Sequence, residues 1–180
     1  MTRIPTVLMI SGSTRAGSTN SAALQTAADV LGEEIRPVLY QGLARLPHFN
    51  PDDDHDPLPA EVARLRELIA EADALLFCTP EYAGDLPGSF KNLLDWTVGG
   101  AETSGKPSAW INVSSAPTGA AGAHRALRTV LTYTDARIVD EGCADIPVPR
   151  SVIDPATGLV TDPAVRDAMA AAVRGLLAAV

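Results

Sequence analysis

The chain has 180 residues, a formal net charge of -8, 46% hydrophobic and 20% charged residues. Those values describe one globular domain, residues 1–180, able to bury a substantial core. The acidity excludes a general nucleic-acid or anionic-membrane surface but leaves room for one local anion site.

Val7 to Ile10 is an apolar run, read as part of a first strand over residues 4–11. The first helix follows over 18–31, with Ser18 or Thr19 as its cap and Gly32 at its end. A second strand spans 34–40, and its internal Pro37 places it at a sheet edge. Residues 41–59 are irregular and hold Asp52, Asp53, Asp54, His55 and Asp56. These residue types can bind metal, but no helical or hairpin spacing draws them together, so they read as a solvated acidic loop and no metal site is expected. Residues 58–71 form an amphipathic helix with Val62, Leu65, Leu68 and Ile69 on one face. A third strand, 72–78, has the continuous apolar character of a central parallel strand.

A helix over 89–98 carries Phe90, Leu93, Leu94 and Trp96, and a fourth strand over 107–113 carries Trp110. Both tryptophans read as core or interface residues. A fourth helix covers 122–133, a short fifth strand 136–139, an irregular stretch 140–161, and a last helix 162–179 capped by Thr161 or Asp162. Cys78 and Cys143 have neither metal spacing nor a CxxC partner, and no stretch is suited to span a membrane. The expectation is a reduced, cytoplasmic protein.

Strands and helices alternate throughout, which builds a parallel sheet covered on both faces. The expected fold is α/β, a flavodoxin-like three-layer sandwich with a five-stranded parallel sheet in order 2-1-3-4-5. Such sheets bind ligands outside the strand carboxyl ends where the order reverses, here between strands 1 and 3. The loops at that point, 11–20 and 79–88, are the two most unusual in the chain. The first is rich in hydroxyls and opens a helix, whose free N–H groups and dipole suit a phosphate. Arg15 could add a fork of donors. The loop is neither a Walker loop, since no Gly-Lys-Ser/Thr closes it, nor a Gly-x-Gly-x-x-Gly dinucleotide fingerprint.

At these loops the sequence resembles the NAD(P)H-dependent FMN reductase family, the flavodoxin-like quinone, azo-dye and chromate reductases. Gly12-Ser13-Thr14-Arg15-Ala16-Gly17-Ser18-Thr19-Asn20 matches the family's phosphate loop G-S-x-R-x-x-S-x-N. Residues 80–96, from Pro80-Glu81-Tyr82 through Pro87-Gly88 and Lys91-Asn92 to Asp95-Trp96, match P-E-Y-x-x-x-x-P-G-x-x-K-N-x-x-D-W. The resemblance covers roughly residues 4–140. It implies that Ser13, Arg15, Ser18, Thr19 and Asn20 hold the phosphate of FMN. It also implies that Pro80, Glu81, Tyr82 and Ala83 line the isoalloxazine ring, and that Lys91 and Asn92 position that loop and helix or serve a subunit interface. In the family's third loop, S-x-G followed by G-G-x-R, Ser115 matches. The paired glycines become Gly119-Ala120, and the arginine is absent, with Arg125 lying further on.

The resemblance further implies NADPH or NADH as reductant, a small-molecule acceptor such as free flavin or a quinone, and a homodimer or homotetramer. The flavin supplies the redox chemistry, so no catalytic side chain is assigned. His124 is a candidate proton donor to a reduced quinone, set against an ordinary helix-surface histidine. Two other readings compete. One is a flavodoxin-like electron carrier, whose acidity would suit a basic partner; the other is a protein whose FMN is structural or sensory.

Overall fold

The fold is built outward from β1 (Thr6–Ser11), a strand buried along nearly its whole length. In the computed structural model, which describes residues 3–116 and 118–180, β1 pairs in parallel with β2 (Arg36–Leu39) on one side and β3 (Ala74–Cys78) on the other. β4 (Pro107–Asn112) then pairs with β3, and β5 (Arg137–Ile138) pairs with β4. The order is β2-β1-β3-β4-β5, as the alternation predicts. Pro37 sits on the edge strand, where its missing N–H costs the ladder nothing.

The fifth position of the sheet departs from the expectation. The stretch read as irregular, 140–161, contains β6 (Ala144–Asp145), which runs parallel to the carboxyl end of β4, Ile111 pairing with Ala144 and Asn112 with Asp145. A 3-10 turn at Asp140–Gly142 separates β5 from β6. This turn is tightly packed. A Cβ at Gly175 of the last helix would lie 2.2 Å from the Glu141 carbonyl oxygen, and one at Gly142 would lie 2.8 Å from the Ala109 Cβ. Glycine at both positions lets the last helix and β4 approach this turn closely.

Among the described residues five α-helices cover the sheet: α1 (Thr19–Leu31), α2 (Ala60–Glu71), α3 (Gly88–Asp95), α4 (Ala121–Tyr133) and α5 (Pro163–Leu177). Alternate residues of each central strand face opposite layers. Val7, Met9, Leu76 and Ile111 pack under α1 and α5 with Leu24, Met169 and Val173. Leu8, Ile10, Leu75 and Phe77 pack under α2, α3 and α4 with Leu65, Phe90, Trp96 and Leu127. Trp96 and Trp110 are both core residues.

α2 buries Val62, Leu65 and Ile69 as its pattern predicts, and it also buries Arg66. The Arg66 guanidinium donates to the Trp96 carbonyl oxygen, 2.8 Å from Nη2, and pairs with Asp54 at 2.6 Å. One residue of the acidic loop therefore closes against the core. Asn92 holds the same loop in place. Its Nδ2 donates to the Pro47 carbonyl at 2.8 Å, its Oδ1 accepts from the Phe49 N–H at 2.7 Å, and Trp96 Nε1 donates to Pro47 at 2.9 Å. Lys91 pairs along α3 with Asp95.

Candidate flavin crevice

Four segments meet above the carboxyl ends of β1, β3 and β4 and enclose a cavity of about 360 Å³. Its lining residues include Thr19 and Asn20 at the start of α1, Thr79, Pro80 and Glu81 after β3, and Ser114 and Ser115 after β4. Val148 and Arg150 complete it from beyond β6. The volume falls in the range of small-ligand pockets.

Close approach between β1 and β3 sets the position of the first two segments. The Gly12 N–H continues the ladder by donating to the Cys78 carbonyl at 2.9 Å. A Cβ on Gly12 would lie 2.2 Å from Thr79 Oγ1 and 2.7 Å from Thr79 Cβ. Gly17, with φ +61° and open space around it, serves instead for its backbone conformation. Ser18 caps α1, its Oγ accepting from the Ser21 N–H at 3.1 Å, so its side chain is buried and engaged at the cap. Asn20 is also buried, and its Oδ1 accepts from the Cys78 thiol. Burial pushes the Cys78 thiol well above the ordinary range, which keeps it protonated and an unreactive donor. Helix geometry leaves the N–H groups of Thr19 and Asn20 without an intrahelical acceptor, and both residues line the crevice.

Ser13 and Arg15 stand apart from this group. They line a second cavity of about 310 Å³ on the β2 side of the loop, together with Ser11, Tyr40 and Gln41. Ser18 lies between the two cavities, joined to the second by hydrogen bonds from Ser18 Oγ to Ser21 Oγ at 2.9 Å and from Ser21 Oγ to Ser11 Oγ at 3.1 Å.

After β3 the chain turns tightly. Tyr82 and Asp85 exchange two backbone hydrogen bonds, 3.0 and 3.1 Å, around Ala83 at φ +53° and Gly84 at φ +79°. Left-handed geometry at both central positions is that of a type I′ turn. It leaves the Tyr82 side chain exposed beside the crevice rather than lining it. Glu81 ties this segment to α4, where its Oε2 accepts the Ala123 N–H at 3.1 Å. The residue at the α4 cap, Ala120, has no side chain able to do this, so Glu81 caps the helix from a different loop.

The third loop reaches α4 through Gly119 at φ +57° and Ala120 at φ +52°. Pro117, in the middle of the loop, lies outside the described residues. The alanine thus occupies the second glycine of the G-G pair in a conformation that disfavours Cβ. Ala120→Gly is expected to raise stability by about 1 kcal/mol, read as an increased urea midpoint at unchanged slope. An unchanged or lower midpoint would show that the strain is relieved elsewhere.

His124 is not on the helix surface. It is 8% exposed, packed by Trp110, and its Nδ1 lies 2.9 Å from the Ala120 carbonyl oxygen. A carbonyl can only accept, so Nδ1 carries the proton and Nε2 is a buried acceptor with no partner among the described residues. Burial lowers its pKa from the ordinary histidine value and keeps the ring neutral at pH 7. In this arrangement its one N–H is committed to Ala120, which removes it as proton donor to a substrate. Sequence reasoning also passed over Arg150, because nothing in the irregular stretch 140–161 signals that it folds back beside α1.

Residues 5–147 match the family described as NADPH-dependent FMN reductase. An NAD(P)H-dependent FMN reductase of Pseudomonas aeruginosa is 41% identical over 131 residues, 72% of this chain and 70% of the relative. A quinone reductase of Escherichia coli K12 is 30% identical over 159 residues, 87% of this chain and 85% of the relative. Among solved structures, the flavoenzyme NAD(P)H:(acceptor) oxidoreductase FerB of Paracoccus denitrificans superposes with a TM-score of 0.83 at 29% identity, over 97% of this chain and 98% of that one.

Proposed function

This chain belongs to the NADPH-dependent FMN reductase family, and from that membership we propose an NAD(P)H-dependent FMN oxidoreductase whose acceptor is free flavin, a quinone or a similar small molecule. The observation that carries this assignment to a place is the meeting of the α1 start, the Pro80-Glu81 segment and Ser115 in one crevice at the reversal point of the sheet.

The residues there fit FMN. Thr19 and Asn20 offer N–H groups at a helix start to a phosphate. Ser115 offers a hydroxyl, and Val113 and Val148 give an apolar surface. Ser13 and Arg15 line the neighbouring cavity on the β2 side of the loop that leads into this helix, and the Arg15 guanidinium has no partner to give up among the described residues. Ser18 acts through the cap that orients the helix. Pro80 and Glu81 border the ring position, with Tyr82 and Ala83 forming the turn at its rim. FMN held there would supply the redox chemistry between the nicotinamide and the acceptor. The chain's own work is to bind, orient and shield, and no side chain moves a proton in the first half of the cycle.

The direct test is anaerobic: protein loaded with FMN and freed of excess is mixed with NADPH or NADH, and the flavin absorbance is followed. Fast bleaching is expected. Bound flavin that does not bleach would turn the assignment toward an electron carrier. Arg15→Ala is expected to weaken FMN binding by about 1.5–3 kcal/mol, the scale of a charge-assisted hydrogen bond; equal FMN affinity in both proteins would take Arg15 out of the site.

Self-association into a homodimer or homotetramer is part of the same proposal. Val98 and Tyr133 are 63% and 89% exposed and line one apolar groove of about 430 Å³ just beyond α3. Light scattering that finds only monomer would reject it. No helix among the described residues is long and apolar enough to cross a membrane, and the two free cysteines suit the cytoplasm proposed for the protein.

A further inference from the structure

Twelve arginines occur in the sequence, and nine of them are engaged by a carboxylate, hydroxyl or carbonyl oxygen. Among the described residues the exceptions are Arg15, Arg125 and Arg150. Arg125 lies exposed on the middle of α4, whereas Arg150 lines the flavin crevice. It lies three residues beyond the end of the family match.

The crevice has two charged lining side chains, Glu81 and Arg150. Glu81 is committed to the start of α4. Arg150 is therefore the free charge in the crevice among the described residues, and it is positive in a chain of net charge -8. Its backbone is fastened on both sides to the elements that build the site. Before it, the Ile146 N–H donates to the Asn112 carbonyl at 2.7 Å and the Val148 N–H to the Val113 carbonyl at 3.1 Å. After it, the Thr161 N–H donates to Val152 at 2.8 Å, and the Val160 N–H donates to Thr26 Oγ1 on α1 at 2.9 Å. The segment thus bridges from the end of β4, next to Ser115, to α1, which carries Asn20. A 3-10 turn at Arg150–Val152 holds the main chain, while the guanidinium is exposed and uncommitted.

A fixed backbone bearing an unpaired guanidinium beside a helix start is suited to a phosphate monoester, whose oxygens take bidentate hydrogen bonds. We propose that Arg150 binds a phosphate monoester in the crevice and completes, from outside the family's motifs, the recognition of a phosphorylated cofactor. The inference rests on the flavin assignment above. Two phosphate monoesters could be the ligand: the 5′-phosphate of FMN and the 2′-phosphate of NADPH.

The test compares wild type with Arg150→Ala and Arg150→Lys, each first shown to keep the wild-type thermal midpoint. FMN and riboflavin affinities are measured by fluorescence titration, and KM for NADPH and NADH with a quinone acceptor at saturating FMN. If the ligand is the FMN phosphate, Arg150→Ala loses tenfold or more in FMN affinity, keeps its riboflavin affinity, and Arg150→Lys recovers part of the loss. If it is the 2′-phosphate, the KM for NADPH rises tenfold or more while that for NADH holds. Parallel weakening of FMN and riboflavin would overturn the proposal by showing that Arg150 only shapes the crevice. Unchanged FMN affinity with an unchanged KM for NADPH would overturn it outright. Wild-type affinity for FMN, measured first, tests the underlying assignment separately.

Discussion

Asp54→Ala is expected to cost about 3–5 kcal/mol of stability, the range for orphaning one member of a buried ion pair. Asp54 and Arg66 are only 11% and 10% exposed, and the guanidinium stays behind when the carboxylate is removed. Arg66 cannot readily swing to water, because its Nε and Nη2 also donate to the Trp96 carbonyl at the end of α3. The neighbourhood is tight as well: a Cβ on Gly99 would fall 1.8 Å from Asp54 Oδ2. Urea melts of Asp54→Ala and of Asp54→Ala/Arg66→Met separate the two sources of loss. The double variant is expected to be more stable than the single one, since it leaves no unpaired charge. A single variant within about 0.5 kcal/mol of wild type, the usual span of surface substitutions, would show that the pair behaves as a surface contact.

Asp54 also shows where the sequence stops being legible. Asp52, Asp53 and Asp56 are exposed, as a solvated acidic loop requires, and nothing local distinguishes Asp54 from them. Its partner is twelve residues away on a helix, where Arg66 stands four residues after Val62 and three before Ile69 on the buried face, a place its charge alone would not suggest. Pairing between a loop and a helix depends on the tertiary fold and leaves no periodic trace. The sheet order was readable because it follows from alternation, an edge proline and the apolar run of β3, all of which are local. β6 was not, because two residues followed by Pro147 and Pro149 carry no period. His124 misleads for a related reason. One histidine on an amphipathic helix reads as surface, but α4 rotates it under Trp110, with its Nδ1 turned back to the carbonyl of its own first turn. Within the site, the three loops bring Thr19, Asn20, Pro80, Glu81 and Ser115 to one cavity, whereas Ser13, Arg15, Ser18, Tyr82 and Ala83 do not line it. The motifs could not show that Glu81 caps α4 or that Arg150 returns to the crevice, since both are contacts between distant loops.

Gly12→Ala is expected to be the most damaging change within the loop motifs themselves. The glycine is needed for space: its new Cβ would meet Thr79 Oγ1 at 2.2 Å and Thr79 Cβ at 2.7 Å, and Phe90 closes the third side at 3.0 Å. Thr79 is 2% exposed and Phe90 fully buried, so neither can retreat without moving the core. The two strand ends must separate instead, which breaks the bond from the Gly12 N–H to the Cys78 carbonyl and shifts the α1 start away from Pro80 and Glu81. Overpacking of this kind costs about 3 kcal/mol. The displaced loops are expected to lose about tenfold in FMN affinity, or about 1.4 kcal/mol. Gly17→Ala provides the contrast. It meets no atom within 4 Å, so its cost is conformational alone, about 1 kcal/mol at a left-handed position. A compensating Gly12→Ala/Thr79→Gly pair removes both clashing atoms and is expected to recover part of the FMN affinity. If Gly12→Ala instead melts with wild type and binds FMN equally well, the close contact between the two loops is not what holds the crevice together.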